Sequence, residues 1–436
     1  DNGHVTSLPN DAGRGNIGEP GKRFVDFLTR TGQTYWQLLP LNPTDAYGSP
    51  YAGTSAFAAN IGLLPQREQD LRAAWANFSD EGELEEFRQK NRAWLEPYAW
   101  FTALKQKYGG LDWRLWPSAD RSWPPASMDS SQDAAEADFQ IFCQYCFHRH
   151  WTELRAYADA RGVRLIGDLP MYVSTDSADV WANRELFTLD EDGGLRACAG
   201  VPPDGFSDEG QHWGTPLFDW ERMKQDGYTW WLRRLERAFA LYDYVRLDHF
   251  RGYESYWEIP GGEPPAKGEW VPGPGLALFE AAYKRFGPLP ILAEDLGVLT
   301  PAVRGLVKLC GFPGMDVLQF ADGDPLGDYD PAEGAVAYTG THDNQTLTGW
   351  CRARYPDLDP RTTADALMER LYHSRADVRI LPLQDLLGLG DEARMNTPGT
   401  TVGNWTWQAG MEDLAKAADR LRALAQGGIE PRQTGA

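Results

Sequence analysis

Short apolar runs alternate with longer amphipathic stretches along this 436-residue chain. Residues 34–41, 163–168, 244–247, 289–295 and 315–320, and the run opening at Val336, are rich in β-branched, aromatic and aliphatic side chains and stop at polar or turn residues. That pattern predicts strands. Between them, residues 22–31, 139–161, 230–241, 278–286, 301–309, 364–374 and 412–425 carry helical periodicity, and 380–387 is a last apolar run before Gly388. Repeated strand–helix alternation predicts an α/β chain of parallel β/α units, folded as a (β/α)8 barrel in one domain over 1–436. Two stretches interrupt the rhythm. Residues 63–138 are acidic, Trp-rich and helical (81–94 and 97–108), and predict an inserted helical subdomain. Residues 170–220 are rich in Gly and Pro, and predict an inserted lid or loop subdomain. A doubly wound open sheet would alternate in the same way, but usually with a glycine-rich phosphate loop after its first strand. Neither GxGxxG nor GxxxxGK occurs here.

Charge and composition narrow the partners. A formal charge of −21 argues against nucleic acid and against an anionic membrane surface, and for neutral ligands. The chain holds 18 Trp, 18 Tyr and 18 Phe, an aromatic content suited to the apolar faces of sugar rings once the core is filled. No run of 18 apolar residues occurs and no signal peptide opens the sequence. The five cysteines make no paired framework, and reduced thiols point to the cytoplasm. Cys143-Gln-Tyr-Cys146 has no second CxxC and sits among apolar helical neighbours, so no metal is expected there.

The chemistry gathers at strand ends. Asp168, Asp248, Glu294 and Asp343 each close an apolar strand. One such acid is commonly a helix cap. Four at the carboxyl ends of barrel strands would meet in one cavity, where crowding drives their pKa values apart. Strand alternation also sets Arg246 beside Asp248, and a guanidinium favours the ionised acid. A neutral and an ionised carboxyl flanking one bond suit glycosidic cleavage. Clustered acids could instead hold a metal, but the flanking His249, His342 and Arg246 favour sugar hydroxyls over a hard cation.

At this point the residues match a family. Gly167-Asp-Leu-Pro-Met-Tyr-Val173, Val245-Arg-Leu-Asp-His-Phe-Arg-Gly252, Ala293-Glu-Asp-Leu-Gly297 and Thr341-His-Asp-Asn344 resemble the signature regions of amylomaltases, the 4-α-glucanotransferases of glycoside hydrolase family 77. Ser49-Pro-Tyr51, the stretch from Val201 to Gly214, Met395-Asn-Thr-Pro-Gly and Gly403-Asn-Trp405 extend the match over most of the chain. The resemblance implies a transfer of α-1,4-glucan segments to the 4-hydroxyl of a glucose or maltooligosaccharide acceptor, without a cofactor. In it Asp248 is the nucleophile, Glu294 the acid/base and Asp343 the third carboxylate. Arg246, His342, Asp168 and Tyr51 surround the same sugar. Ser49, Trp213 and Asp208 join them as substrate-binding positions, Trp213 in the roof and Asp208 in the lid loop 200–211. Asn404 and Trp405 fall near the cleft. A retaining double displacement would put the carboxyls of Asp248 and Glu294 about 5–5.5 Å apart.

Two other readings of the same carboxylates stay open: an α-amylase-like hydrolase of α-1,4-glucans, and a glucan-binding relative without turnover. In the lid loop, Pro202, Pro203 and Phe206 are expected to lower water's access to the intermediate. The family usually has Tyr where Gly205 stands and Asn where Thr215 stands. Its opening strand also falls on Asp1-Asn-Gly-His-Val, leaving either a frayed strand or residues missing ahead of Asp1.

Overall fold

The computed structural model describes residues 4–203, 207–297 and 299–426. Among these residues, seven short parallel strands line the barrel. In the first sheet β1 (Tyr35–Gln37), β2 (Arg164–Leu169), β5 (Tyr244–Leu247) and β8 (Ile291–Ala293) lie in that order, and the second holds β9 (Met315–Val317), β10 (Val336–Tyr338) and β11 (Val378–Ile380). The two sheets are stitched where the Ala293 amide donates to the Pro313 carbonyl (2.9 Å) and the Met315 amide to Asp295 Oδ1 (2.8 Å). The remaining strands form a separate antiparallel sheet.

Alternation along each strand separates two environments. Leu165, Val245, Leu247, Ile291, Ala293 and Ala337 pack outward into the main apolar core with the helices. Ile166, Leu292, Met315, Val317, Val336, Tyr338 and Ile380 form a second, smaller cluster inside the ring of strands. A barrel interior filled by side chains is the expected packing of this architecture. Across it, Tyr338 Oη donates to Gln37 Oε1 (2.6 Å). Two residues beyond Ile166 and Leu292 on the same face come Asp168 and Glu294, so the period that fills the interior also lifts these acids to its carboxyl rim.

Between β1 and β2, helices Glu68–Ala76, Glu81–Lys107 and Ser131–Asp159 build a helical layer. The second of them is one continuous helix through Pro97, where sequence periodicity split it in two. Proline deletes a single N–H, and the buried face on either side (Leu95, Tyr98, Ala99, Phe101) keeps the turns aligned. Cys143 packs in the apolar core, where burial pushes its thiol up to about 12. Near the amino terminus the described residues Val5–Ser7 form a 3-10 turn, and residues 1–3 of the expected opening strand lie outside the described residues.

Over the rim lies the antiparallel sheet, in which β3 (Ala197–Val201), β4 (Gln211–Pro216), β6 (Ser255–Pro260) and β7 (Glu269–Pro272) run in the order β4-β3-β6-β7. It carries Trp213 toward the turn that follows β5. The apolar run 380–387 also resolves differently from a strand. β11 stops at Ile380, and after Pro382 the chain turns into the short helix Leu383–Leu386.

Candidate active site

The centre of the site is a buried cation between two carboxylates. Register pairs Asp168 with Arg246 on adjacent strands. Arg246 Nη1 donates to Asp168 Oδ1 at 2.7 Å and to Asp248 Oδ1 at 3.1 Å. Burial alone would penalise all three charges, and their mutual pairing is what makes the arrangement tolerable. Tyr51 caps the other side of Asp168, donating from its hydroxyl to Oδ2 (2.5 Å). Its ring stacks on His342 with centroids 4.7 Å apart and planes 15° from parallel.

Glu294 is fastened to the turn after β5 by main chain. Its amide donates to the Leu247 carbonyl (3.0 Å), and its carbonyl accepts from Phe250 (3.0 Å). Its carboxylate accepts from the amides of His249 (2.7 Å) and Leu296 (2.9 Å). His249 holds a left-handed backbone (φ 50°), rare outside glycine, which lets the chain turn back to make these contacts. Burial, reinforced by the negative charge of Asp248, pushes the Glu294 carboxyl up to about 8, although Arg246 and the two backbone donors pull the other way.

Asp343 lies in the opposite environment. Burial would raise it, but His342 Nε2 at 3.3 Å and a hydrogen bond from Asn396 outweigh burial and bring the carboxyl to about 2. Its negative charge in turn raises His342, against the burial that would lower it. Trp213 sets its ring edge-on to His249 (centroids 4.9 Å, 84°), so the roof sheet touches the turn bearing the nucleophile candidate.

The expected residues do not all meet at one point. Asp168, Arg246, Asp248, Tyr51, His342 and Asp343 form one contact network, and Glu294 is joined to it through the β5 turn. Ser49 sits one step back: its hydroxyl accepts from the Tyr51 amide (3.3 Å) and its amide is held by Asp45. Asp208 lies on an exposed turn, and among the described residues no hydrogen bond or ion pair ties it to this network. The lid expectations for Gly205 and Phe206 fall on 204–206, outside the described residues. Asn404 spends its side chain inside its own loop, accepting from the Thr397 amide (3.0 Å) and donating to the Thr400 carbonyl (3.0 Å). Trp405, left-handed at φ 62°, brings its ring 5.8 Å from both Tyr51 and His342. Sequence reasoning passed over Asn396 and Arg394. The only signal for Asn396 was membership of the Met395-Asn-Thr-Pro-Gly stretch, which carries no periodicity, and Arg394 lies just ahead of that stretch.

Comparison with known proteins decides the family. The family model described as 4-alpha-glucanotransferase matches residues 3–76 and 63–412. The chain belongs to the 4-alpha-glucanotransferase family. It is 42% identical to the 4-alpha-glucanotransferase of Thermus thermophilus over 97% of each chain, and 38% identical to the chloroplastic/amyloplastic 4-alpha-glucanotransferase of Arabidopsis thaliana over 97% of this chain and 84% of that one. Among solved structures, the amylomaltase of Streptococcus agalactiae, determined with acarbose, superposes with a TM-score of 0.89 at 33% identity, covering 97% of this chain and 98% of that one. The amylomaltase of Corynebacterium glutamicum shares the fold at 17% identity (TM-score 0.76, 97% and 74% covered). The (β/α)8 barrel is thus the glucanotransferase barrel. Among the described residues no group of His, Cys, Asp and Glu could hold a metal ion, and no helix is long and apolar enough to cross a membrane.

Proposed function

We propose that the chain moves α-1,4-glucan segments between maltooligosaccharides by a retaining double displacement centred on Asp248 and Glu294. The observation that carries this reading is the contrast between those two carboxyls. Glu294 is pushed up to about 8 and holds a proton at neutral pH, while Asp248 is ion-paired to Arg246 on the adjoining turn. In the first step an oxygen of Asp248 attacks the anomeric carbon, the bond from that carbon to the 4-oxygen of the leaving sugar breaks, and Glu294 gives that oxygen its proton. A β-linked glucosyl ester on Asp248 results. In the second step the 4-hydroxyl of an acceptor attacks the same carbon, Glu294 takes up the hydroxyl proton, and Asp248 leaves. Two inversions restore the α configuration.

The remaining contacts support the donor sugar. Asp343, with His342 and Tyr51, forms the wall that grips ring hydroxyls, and Asp168 locks the orientation of Arg246. Trp213 and the β5 turn face the leaving and entering sugars. The test is one incubation with maltotriose, with products resolved by chain length. Transfer yields glucose together with oligomers longer than the substrate. Glucose and maltose without longer products would favour hydrolysis by the same carboxylates and would overturn the transfer reading.

A further inference from the structure

The third carboxylate is held from the loop after β11 rather than from its own strand. Asn396 Nδ2 donates to Asp343 Oδ1 (2.7 Å), and the Asn396 amide donates to the His342 carbonyl (3.1 Å). Arg394 closes the clip, donating from Nη2 to the Asp343 carbonyl (2.6 Å) and from Nε to the Asn396 carbonyl (2.8 Å). His342 Nε2 lies 3.3 Å from the other carboxylate oxygen. One donor on each oxygen fixes the plane of the carboxylate, because rotation about its Cβ–Cγ bond would break both contacts. The loop does not need the Asn396 side chain to close. The Trp405 amide donates to the Met395 carbonyl (2.7 Å), and Asn404 already spans from Thr397 to Thr400.

We propose that Asn396 is a positioning residue for the transfer reaction: its amide holds the plane of Asp343, so that the free lone pairs meet adjacent hydroxyls of the donor sugar as its ring flattens. The inference rests on the reading of Asp343 as the carboxylate that grips that sugar. A neutral donor suits the position. Asp343 already faces the Arg246 guanidinium and the His342 imidazole, with Arg394 on its carbonyl, and a second carboxylate at hydrogen-bond distance could ionise alongside it only at a large cost.

The experiment measures kcat and KM for maltotriose disproportionation between pH 5 and 9 in the full chain, with Tm alongside, for Asn396→Ala and Asn396→Asp. Asn396→Ala is expected to lower kcat by about 100-fold, with KM moving less than about threefold and Tm nearly unchanged. In Asn396→Asp the two carboxylates share a proton at low pH, which keeps one hydrogen bond between them, and repel once both are ionised. This variant should therefore exceed Asn396→Ala at pH 5 and fall to or below it at pH 9. Two results would overturn the role: both variants keeping kcat within threefold of wild type, or both losing kcat, KM and Tm together with no pH-dependent difference between them. The reading beneath it fails separately, if Asp343→Asn keeps more than a tenth of wild-type turnover.

Discussion

Replacing Glu294 by Gln should make the protein inactive and, at alkaline pH, more stable. The folded chain holds the Glu294 proton more tightly than the unfolded chain does, with the carboxyl moved from 4.5 to about 8. The fold therefore loses stability as pH rises from about 4.5 through 8, and above 8 the whole loss is present. That displacement corresponds to about 5 kcal/mol between protonation states as a ceiling. The carboxyl opens on one side to the cleft, so about 2–3 kcal/mol is the realised change. Gln copies the protonated form at every pH, but it offers one acceptor where the backbone amides of His249 and Leu296 call for two. That mismatch costs about 1–2 kcal/mol independently of pH. Asp179 and Asp385, also raised to about 6 by burial, titrate equally in both proteins and cancel. For a chain of this length, 1 kcal/mol moves Tm by roughly 1 °C. Thermal melts of wild type and variant at pH 5 and pH 9 should show the variant level or slightly lower at pH 5, then gaining about 2–3 °C relative to wild type by pH 9. A gap of the same size at both pH values would refute the reasoning.

Three further outcomes follow from the same geometry. Asp248→Asn should cut turnover on maltotriose by about 10⁴ or more, equivalent to about 5 kcal/mol of barrier, and a variant retaining a tenth of the wild-type rate would contradict the nucleophile's role. The wild-type kcat/KM should decline as pH rises through about 8, where Glu294 loses the proton it donates; activity constant to well above that pH would count against it as the acid. Arg246→Met leaves Asp168 and Asp248 crowded without their cation and should destabilise the fold by about 3–5 kcal/mol at pH 7, less at pH 4, where Asp168, raised by burial, takes up a proton. Denaturant midpoints at the two pH values measure the difference.

The acids at the barrel rim were legible in the sequence because strand alternation and chemistry coincide there. The same period that buries Ile166 and Leu292 presents Asp168 and Glu294, so an apolar run ending in an acid carries both messages. The roof sheet gave no such signal. Gln211-His-Trp-Gly-Thr-Pro216 mixes polar, aromatic and glycine positions without alternation, and its neighbour β3 pairs on the other side with β6, almost sixty residues on. Pro97 misled in the other direction, since local rules end a helix where packing on helix Ser131–Asp159 sustains it. The role of Asn396 was hidden for a different reason, although its stretch Met395-Asn-Thr-Pro-Gly took part in the family resemblance. A single amide in a Gly- and Pro-rich loop acquires its meaning only when the loop folds back onto Asp343, and no spacing in the sequence encodes that return.

The main-chain stitching of Glu294 to the turn at Leu247, His249 and Phe250 has a corollary. The spacing of Glu294 from the turn bearing Asp248, the proposed proton donor and attacking group, leans on peptide groups, which substitution does not remove, whereas the surrounding rings and hydroxyl contacts are side chains. On the proposed mechanism, replacing those side chains would change which sugars are held while leaving that spacing, and with it retention of configuration, in place.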